Sequence, residues 1–257
     1  MKAGFVRPCA LIAVVALLVS CANVQRSAAR LPWSDARQLV LVIVPDWNAS
    51  RGTLRTYTLS AQGWRAAGMA LPAVIGRAGS AWGVGLHPQQ SGPTKHEGDG
   101  RSPAGVFAIG SAFGYAASEP TALPYLPLNA DEYCVDVSGS PLYNRIVDAR
   151  TVGSAAVAGS TEPMRRDLHA NGDDAYKIGF VIEHNPRGET GAGSCIFAHL
   201  WKSADSSTSG CTAMAEPALR SVLGWLQPRE HPVFVLLPYA EYTRLRDAWN
   251  LPDIAAP

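Results

Sequence analysis

The run Leu39-Val-Leu-Val-Ile-Val44, stopped by Pro45-Asp46, is the stretch that most constrains how this chain can fold. It is too short for a stable helix and rich in β-branched residues, so it reads as a buried strand. Thr53 to Leu59 alternates like the partner strand of a hairpin, and Trp64 begins another short pair. With Leu71-Pro-Ala-Val-Ile-Gly76, these runs make Gln38 to Gly85 a meander. Further strands are expected at Tyr133–Val137, Ile178–His184 and Pro232–Leu237. The 24 Gly and 19 Pro supply the turns that many short strands require. Helical signals are few. Thr161 to Leu168 reads as a short helix with Thr as cap and Pro in the first turn. Glu216 to Leu226 places Leu219, Val222, Leu223 and Leu226 on one face, and Tyr239 to Trp249 reads as a terminal helix. The fold class is therefore mainly β, with one domain over 38–238 and a C-terminal helix and tail over 239–257. The stretch 111–129 reads as a Pro-rich loop.

Residues 1–20 read as an export signal. Lys2 and Arg7 form a basic start, and the apolar core from Ala10 to Val19 is too short to span a bilayer. It ends in Leu18-Val19-Ser20-Cys21, which resembles a bacterial lipobox with cleavage before Cys21 and lipid on its sulfur. Ala22 follows where an Asp would stand in lipoproteins held at the inner membrane. The expectation is thus a lipid-anchored protein of the bacterial envelope that faces the periplasm, more readily at the outer membrane. Several acyl chains would hold it firmly, at about 0.8 kcal/mol per buried methylene. Residues 21–37 lack periodicity and read as a tether.

The chain carries 22 Lys and Arg against 21 Asp and Glu. Without Lys2 and Arg7 the balance is 20 against 21. No basic field is present to hold a nucleic acid.

The chemistry-bearing stretch is Ser194 to Met214. Cys195-Ile-Phe-Ala-His-Leu-Trp201 reads as a short strand with His199 near its end, and Thr208-Ser-Gly-Cys211 follows on a small-residue loop. Only a thiolate attacks, and a nearby imidazole can take the thiol proton and keep the sulfur charged near neutral pH. Gly210 lets the backbone turn beside the sulfur, so amides around Ser209 can face a developing oxyanion. Cys211 with His199 is competent for acyl transfer.

Thr208-Ser-Gly-Cys-Thr-Ala-Met214, preceded by Ile196-Phe-Ala-His-Leu-Trp201, resembles the signature of the YkuD-type L,D-transpeptidases. A second stretch, Gly98-Asp-Gly-Arg-Ser-Pro-Ala-Gly-Val-Phe107, resembles the first motif loop of the same domains. The commoner family form has His and Arg where this chain has Ser209 and Ala213, so the resemblance is to a divergent branch. It implies a β-sandwich catalytic domain, peptidoglycan stem peptides as substrate, and no metal or organic cofactor. A wall-attached protein is a further possible acceptor. It also implies a thioester on Cys211 with His199 as base. Hydrolysis, detachment of a wall-linked protein, and a non-catalytic wall anchor are the alternatives. Asn144 and Arg145 are candidates for gripping a peptide carboxylate, and His184, at a strand end, for facing the cleft.

With Cys9 in the signal and Cys21 carrying lipid, Cys134, Cys195 and Cys211 remain. An odd count outside the cytoplasm suggests one disulfide and one working thiol. If Cys211 is the nucleophile, Cys134 and Cys195 are the remaining pair. A zinc site on Cys195, His199 and Cys211 is disfavoured. On an extended strand Cys195 and His199 stand about 13 Å apart, at roughly 3.3 Å per residue.

Overall fold

Strands of buried side chains must satisfy their own backbone N–H and C=O groups, and here a ladder that returns on itself does so. The computed structural model describes residues 30–254, together with Met1 and Gly4. Apart from Met1 and Gly4, the stretch read as an export signal, and Cys21 as the expected lipid site, fall outside the described residues. In chain order the strands are β1 (Gln38–Val44), β2 (Arg51–Ser60), β3 (Gly63–Ala66), β4 (Leu71–Val74), β5 (Ser80–Trp82), β6 (Ser102–Gly114) and β7 (Tyr125–Pro127). They continue as β8 (Glu132–Cys134), β9 (Ile146–Asp148), β10 (Glu162–Pro163), β11 (Ile178–Ile182), β12 (Phe197–Leu200), β13 (Thr212–Met214) and β14 (Val233–Pro238). The α-helices are α1 (Ala149–Val152), α2 (Arg166–His169), α3 (Glu216–Trp225) and α4 (Tyr239–Leu245).

β1 pairs in parallel with β14 on one edge and antiparallel with β2 on the other. The order β1-β14-β6-β11-β12-β13-β4-β2 therefore returns to β1 and closes a barrel. The mainly β class holds, but the expected sandwich is a closed barrel because both edges of β1 are taken. Closure also removes edges that an open sheet would have to protect. Every residue of β1 is buried, which accounts for its unbroken apolar run: α4 packs against β1 and β14. Helix α3 buries Leu219, Val222 and Leu223 as its periodicity predicts. Gln38 fixes the far end of α3 by donating to Trp225 O at 2.8 Å and accepting from Gln227 N at 2.7 Å.

Several expectations change. The end of the supposed tether is part of the fold: Trp33 and Ala36 are buried, and Trp33 stacks edge-on against Trp249 at 5.4 Å. Trp82 extends this aromatic contact to Trp47, so the residues from Leu31 onward make one compact unit. The stretch 111–129 is not a free loop. Its first residues finish β6, β7 pairs with them, and Leu123 and Leu128 are buried. The helix expected from Thr161 is reduced to α2. Thr161 donates its N–H to Asp136 at 2.9 Å and its hydroxyl to the same carboxylate, and Glu162-Pro163 joins β8 as a strand.

A second sheet, ordered β10-β8-β9, caps one flank. Cys134 at the end of β8 forms a disulfide with Cys195, their Cα atoms 5.9 Å apart. A small apolar cluster joins Cys134 and Cys195 to Met164, Tyr176, Phe197 and Cys211.

The loop before β6 is built on a buried ion pair. Lys95, 4% exposed, donates to Asp99 Oδ1 at 2.6 Å, and Asp99 also accepts from the amides of His96 and Arg101. Farther on, Gly105 has φ +134°, and a Cβ there would fall 1.9 Å from Cε1 of buried His87. His87 Nδ1 in turn accepts from Val106 N at 3.1 Å. Gly105→Ala should therefore cost about 3 kcal/mol or more of stability through combined strain and overpacking. Urea denaturation checks it; an unchanged midpoint would show that His87 can retreat without cost.

Candidate active site

Backbone register brings Cys211 and His199 together. β12 and β13 are parallel neighbours with Ala198 opposite Thr212 and His199 opposite Ala213. Cys211, one residue before β13, thus falls beside Phe197 and on the same face as His199. Two residues along and one strand across put their Cα atoms about 8 Å apart, at ~3.3 Å rise and ~4.8 Å spacing. Both line a cavity of about 310 Å3, with Tyr176, Arg77, Arg166 and Ser209. A second recess of about 450 Å3 is also lined by Cys211, together with Glu97, Asp136 and Ser194.

The thiol is held from two sides. Phe197 N–H donates to Sγ at 3.3 Å, and Sγ–H donates to Cys195 O at 3.4 Å. His199 makes no hydrogen bond to the sulfur in this resting arrangement. Its Nδ1–H donates to Leu200 O at 2.7 Å, which sets the tautomer and leaves the lone pair on Nε2. The Tyr176 ring packs on both Phe197 (5.4 Å) and His199 (5.2 Å), and its hydroxyl donates to Glu162 at 2.7 Å. Arg166 braces this corner: it pairs with Glu162 and Asp173 and lies over the Tyr176 ring.

Burial pushes the Cys211 thiol up to about 12, and the nearby Glu162 carboxylate adds to the rise. Burial also lowers His199 to about 4, with Arg166 acting in the same direction. The sequence suggested a resting thiolate–imidazolium pair. Burial instead favours a neutral thiol and a neutral imidazole over that pair, because neither charge would be well solvated there.

The loop that ends at Cys211 is tied to the earlier glycine-rich motif. Ser102 Oγ donates to Gly210 O at 2.6 Å and accepts from Gly76 N at 2.9 Å. Thr208 Oγ1 donates to Cys211 O at 2.6 Å and accepts from Gly210 N at 3.2 Å. Thr208 is therefore a positioning residue, and the Gly210 amide is already committed.

The substrate contacts expected elsewhere are not at this site. His184 is 2% exposed, with Nδ1 accepting from Val84 N at 3.2 Å and Nε2 donating to Ala192 O at 2.9 Å. Both ring nitrogens are used, so it braces loops rather than facing the cleft. Asn144, at φ +62°, donates to the carbonyls of His184 and Asn185 and accepts from Cys195 N at 2.8 Å. It thereby holds the disulfide loop. Arg145 reaches toward Pro186 O, in a different recess from Cys211. Tyr176, Glu162, Arg166 and Arg77 went unnoticed in the sequence; the one signal for Tyr176 was its place just before β11.

Two outcomes follow. Iodoacetamide should modify Cys211 slowly at pH 7, with a rate that keeps climbing beyond about pH 9. A plateau between pH 6 and 8, read by mass spectrometry, would mean a resting ion pair. His184 is likewise lowered to about 4 by burial. Imidazoles kept neutral in the fold but protonated in the unfolded chain near 6.5 contribute stability that is full at pH 7. That stability is lost as pH falls from about 6.5 to 4, about 3 kcal/mol for each of His184 and His199. Melting temperature against pH should show this fall, with a shallower slope in His184→Gln; an equal slope would remove His184 from the account.

No protein-family model matches the chain, and no curated protein and no solved structure matches it either.

Proposed function

We propose that this chain is a cysteine acyltransferase of the L,D-transpeptidase type that acts on peptidoglycan stem peptides. The observation that carries the reading is the shared face of Cys211 and His199 on a parallel strand pair, with the Nε2 lone pair available as base. A second observation supports it. The two stretches that resemble YkuD-type domains lie far apart in sequence, yet meet at the Ser102–Gly210 hydrogen bond, 108 residues apart. The family reading draws on this contact, made here within the closed barrel.

In the proposed reaction His199 Nε2 takes the Sγ proton as sulfur attacks the carbonyl before the terminal D-alanine. Because both groups rest neutral, proton transfer accompanies attack instead of preceding it. The oxyanion draws on the amides of Ser209 and Cys211, since that of Gly210 is engaged. The C–N bond breaks as His199 returns its proton to the leaving amine, leaving a thioester. An acceptor amine then attacks the thioester, loses its proton to His199 and restores the thiol. The second recess at Cys211, which shares Arg77, Glu162, Arg166 and Ser209 with the first, is where that acceptor would sit. Lipid on Cys21 would keep the domain in the envelope, beside its substrate.

Incubating the purified chain and its Cys211→Ala variant with tetrapeptide muropeptides tests the reading. Mass spectrometry should find cross-linked dimers and released alanine with the parent chain, and at least a thousandfold less with the variant. Tripeptide without dimers would make it a carboxypeptidase. Equal inertness of both chains here, and on sacculi carrying linked protein, would leave the wall-anchoring role.

A further inference from the structure

Three cations line the cavity at Cys211: Arg77, Arg166 and Lys202. Arg166 is neutralised by Glu162 and Asp173, and Lys202 approaches Asp173 at 3.8 Å. Arg77 has no carboxylate partner among the described residues. Its place is nevertheless built. Its backbone N–H donates to Thr208 O at 2.8 Å, and Nη1 donates to Ser209 Oγ at 3.2 Å. The side chain lies across Gly100, where a Cβ would come within 3.0 Å of the guanidinium carbon. Gly100 has φ +69°, so the glycine of the earlier loop both makes that turn and leaves room for the arginine. An exposed, uncompensated guanidinium held on Ser209, itself two residues before the nucleophile, has the fork geometry that binds a carboxylate bidentately.

We infer that Arg77 is the specificity-determining residue of this site, binding a free carboxylate one residue beyond the scissile amide. This rests on the acyl-transfer reading for the identity of the peptide, and on the cavity alone for the carboxylate. It selects substrates whose chain ends at that residue, because a longer peptide has a neutral amide at the same place. It also assigns to the loop after β4 the task that the sequence suggested for Arg145.

The experiment has two arms, both on the full chain, with Arg77→Gln and Arg77→Lys beside the parent. Arg77 is on the surface, and melting curves confirm that the variants are folded. The first arm measures alkylation of Cys211 by iodoacetate and by iodoacetamide, which differ in the carboxylate. The parent should favour iodoacetate about tenfold more than Arg77→Gln does and should saturate with it, with partial recovery in Arg77→Lys. An identical preference in all three chains overturns the assignment. The second arm compares stem tetrapeptides ending in a carboxylate or a carboxamide. Amidation should raise KM about tenfold or more in the parent and little in Arg77→Gln; turnover indifferent to amidation in the parent also overturns it. If no peptide is turned over while the iodoacetate preference depends on Arg77, the carboxylate site stands and the peptide reading falls.

Discussion

A parallel pair of strands cannot be joined by a tight turn, because the chain must travel back to its starting end before the second strand begins. β12 and β13 are such a pair, and no helix fills the connection over residues 201–211. The connection is a polar loop that swings out and returns, and Cys211 is the residue at which it re-enters the sheet. Everything distinctive about the site follows from that re-entry. The sulfur arrives beside Phe197 N–H, on the face that carries His199, and beneath the disulfide-bound Cys195 carbonyl. An antiparallel hairpin would have placed the thiol at a solvent-facing turn.

Holding a returning loop in register needs anchors from outside it, and the barrel supplies them. Ser102 reaches the loop from β6, and the bridge from Thr208 to Ile75 and Arg77 ties it to the segment after β4. The capping sheet adds a third constraint through Cys134 and Cys195, with Asn144 fixing the Cys195 amide. Buried polar groups here are satisfied in linked sets, so the loop has few ways to shift without stranding a donor or acceptor.

How much of this the sequence reveals depends on whether the deciding contact is local. The strand Leu39–Val44, helix α3 and the pair His199–Cys211 are written in short patterns, and counting cysteines pointed to Cys134 with Cys195. Barrel closure is not local: it needs β1 to accept partners from both ends of the chain. The two- and three-residue strands of the capping sheet are too short to show alternation, and Thr161-Glu-Pro looks like a helix start until Asp136 claims the threonine. Charge state is equally hidden. Cysteine near histidine suggests an ion pair, and only the packing of Tyr176, Phe197 and Glu162 around them withholds the charges. Arg145 and Arg77 look alike in sequence; only the fold shows that Arg77 lines the cavity at Cys211, with room left by Gly100 23 positions away, while Arg145 lies in another recess.

The buried, protonated state of Cys211 bears on how long such a protein lasts. Peroxide and other small oxidants attack thiolates far faster than thiols, and the first product, a sulfenic acid, leads on to forms that no longer revert. A cysteine kept permanently ionised would be consumed by such oxidants. One kept protonated by its surroundings spends little time in the vulnerable form. The packing that slows its casual reactions therefore also serves as its defence against ageing.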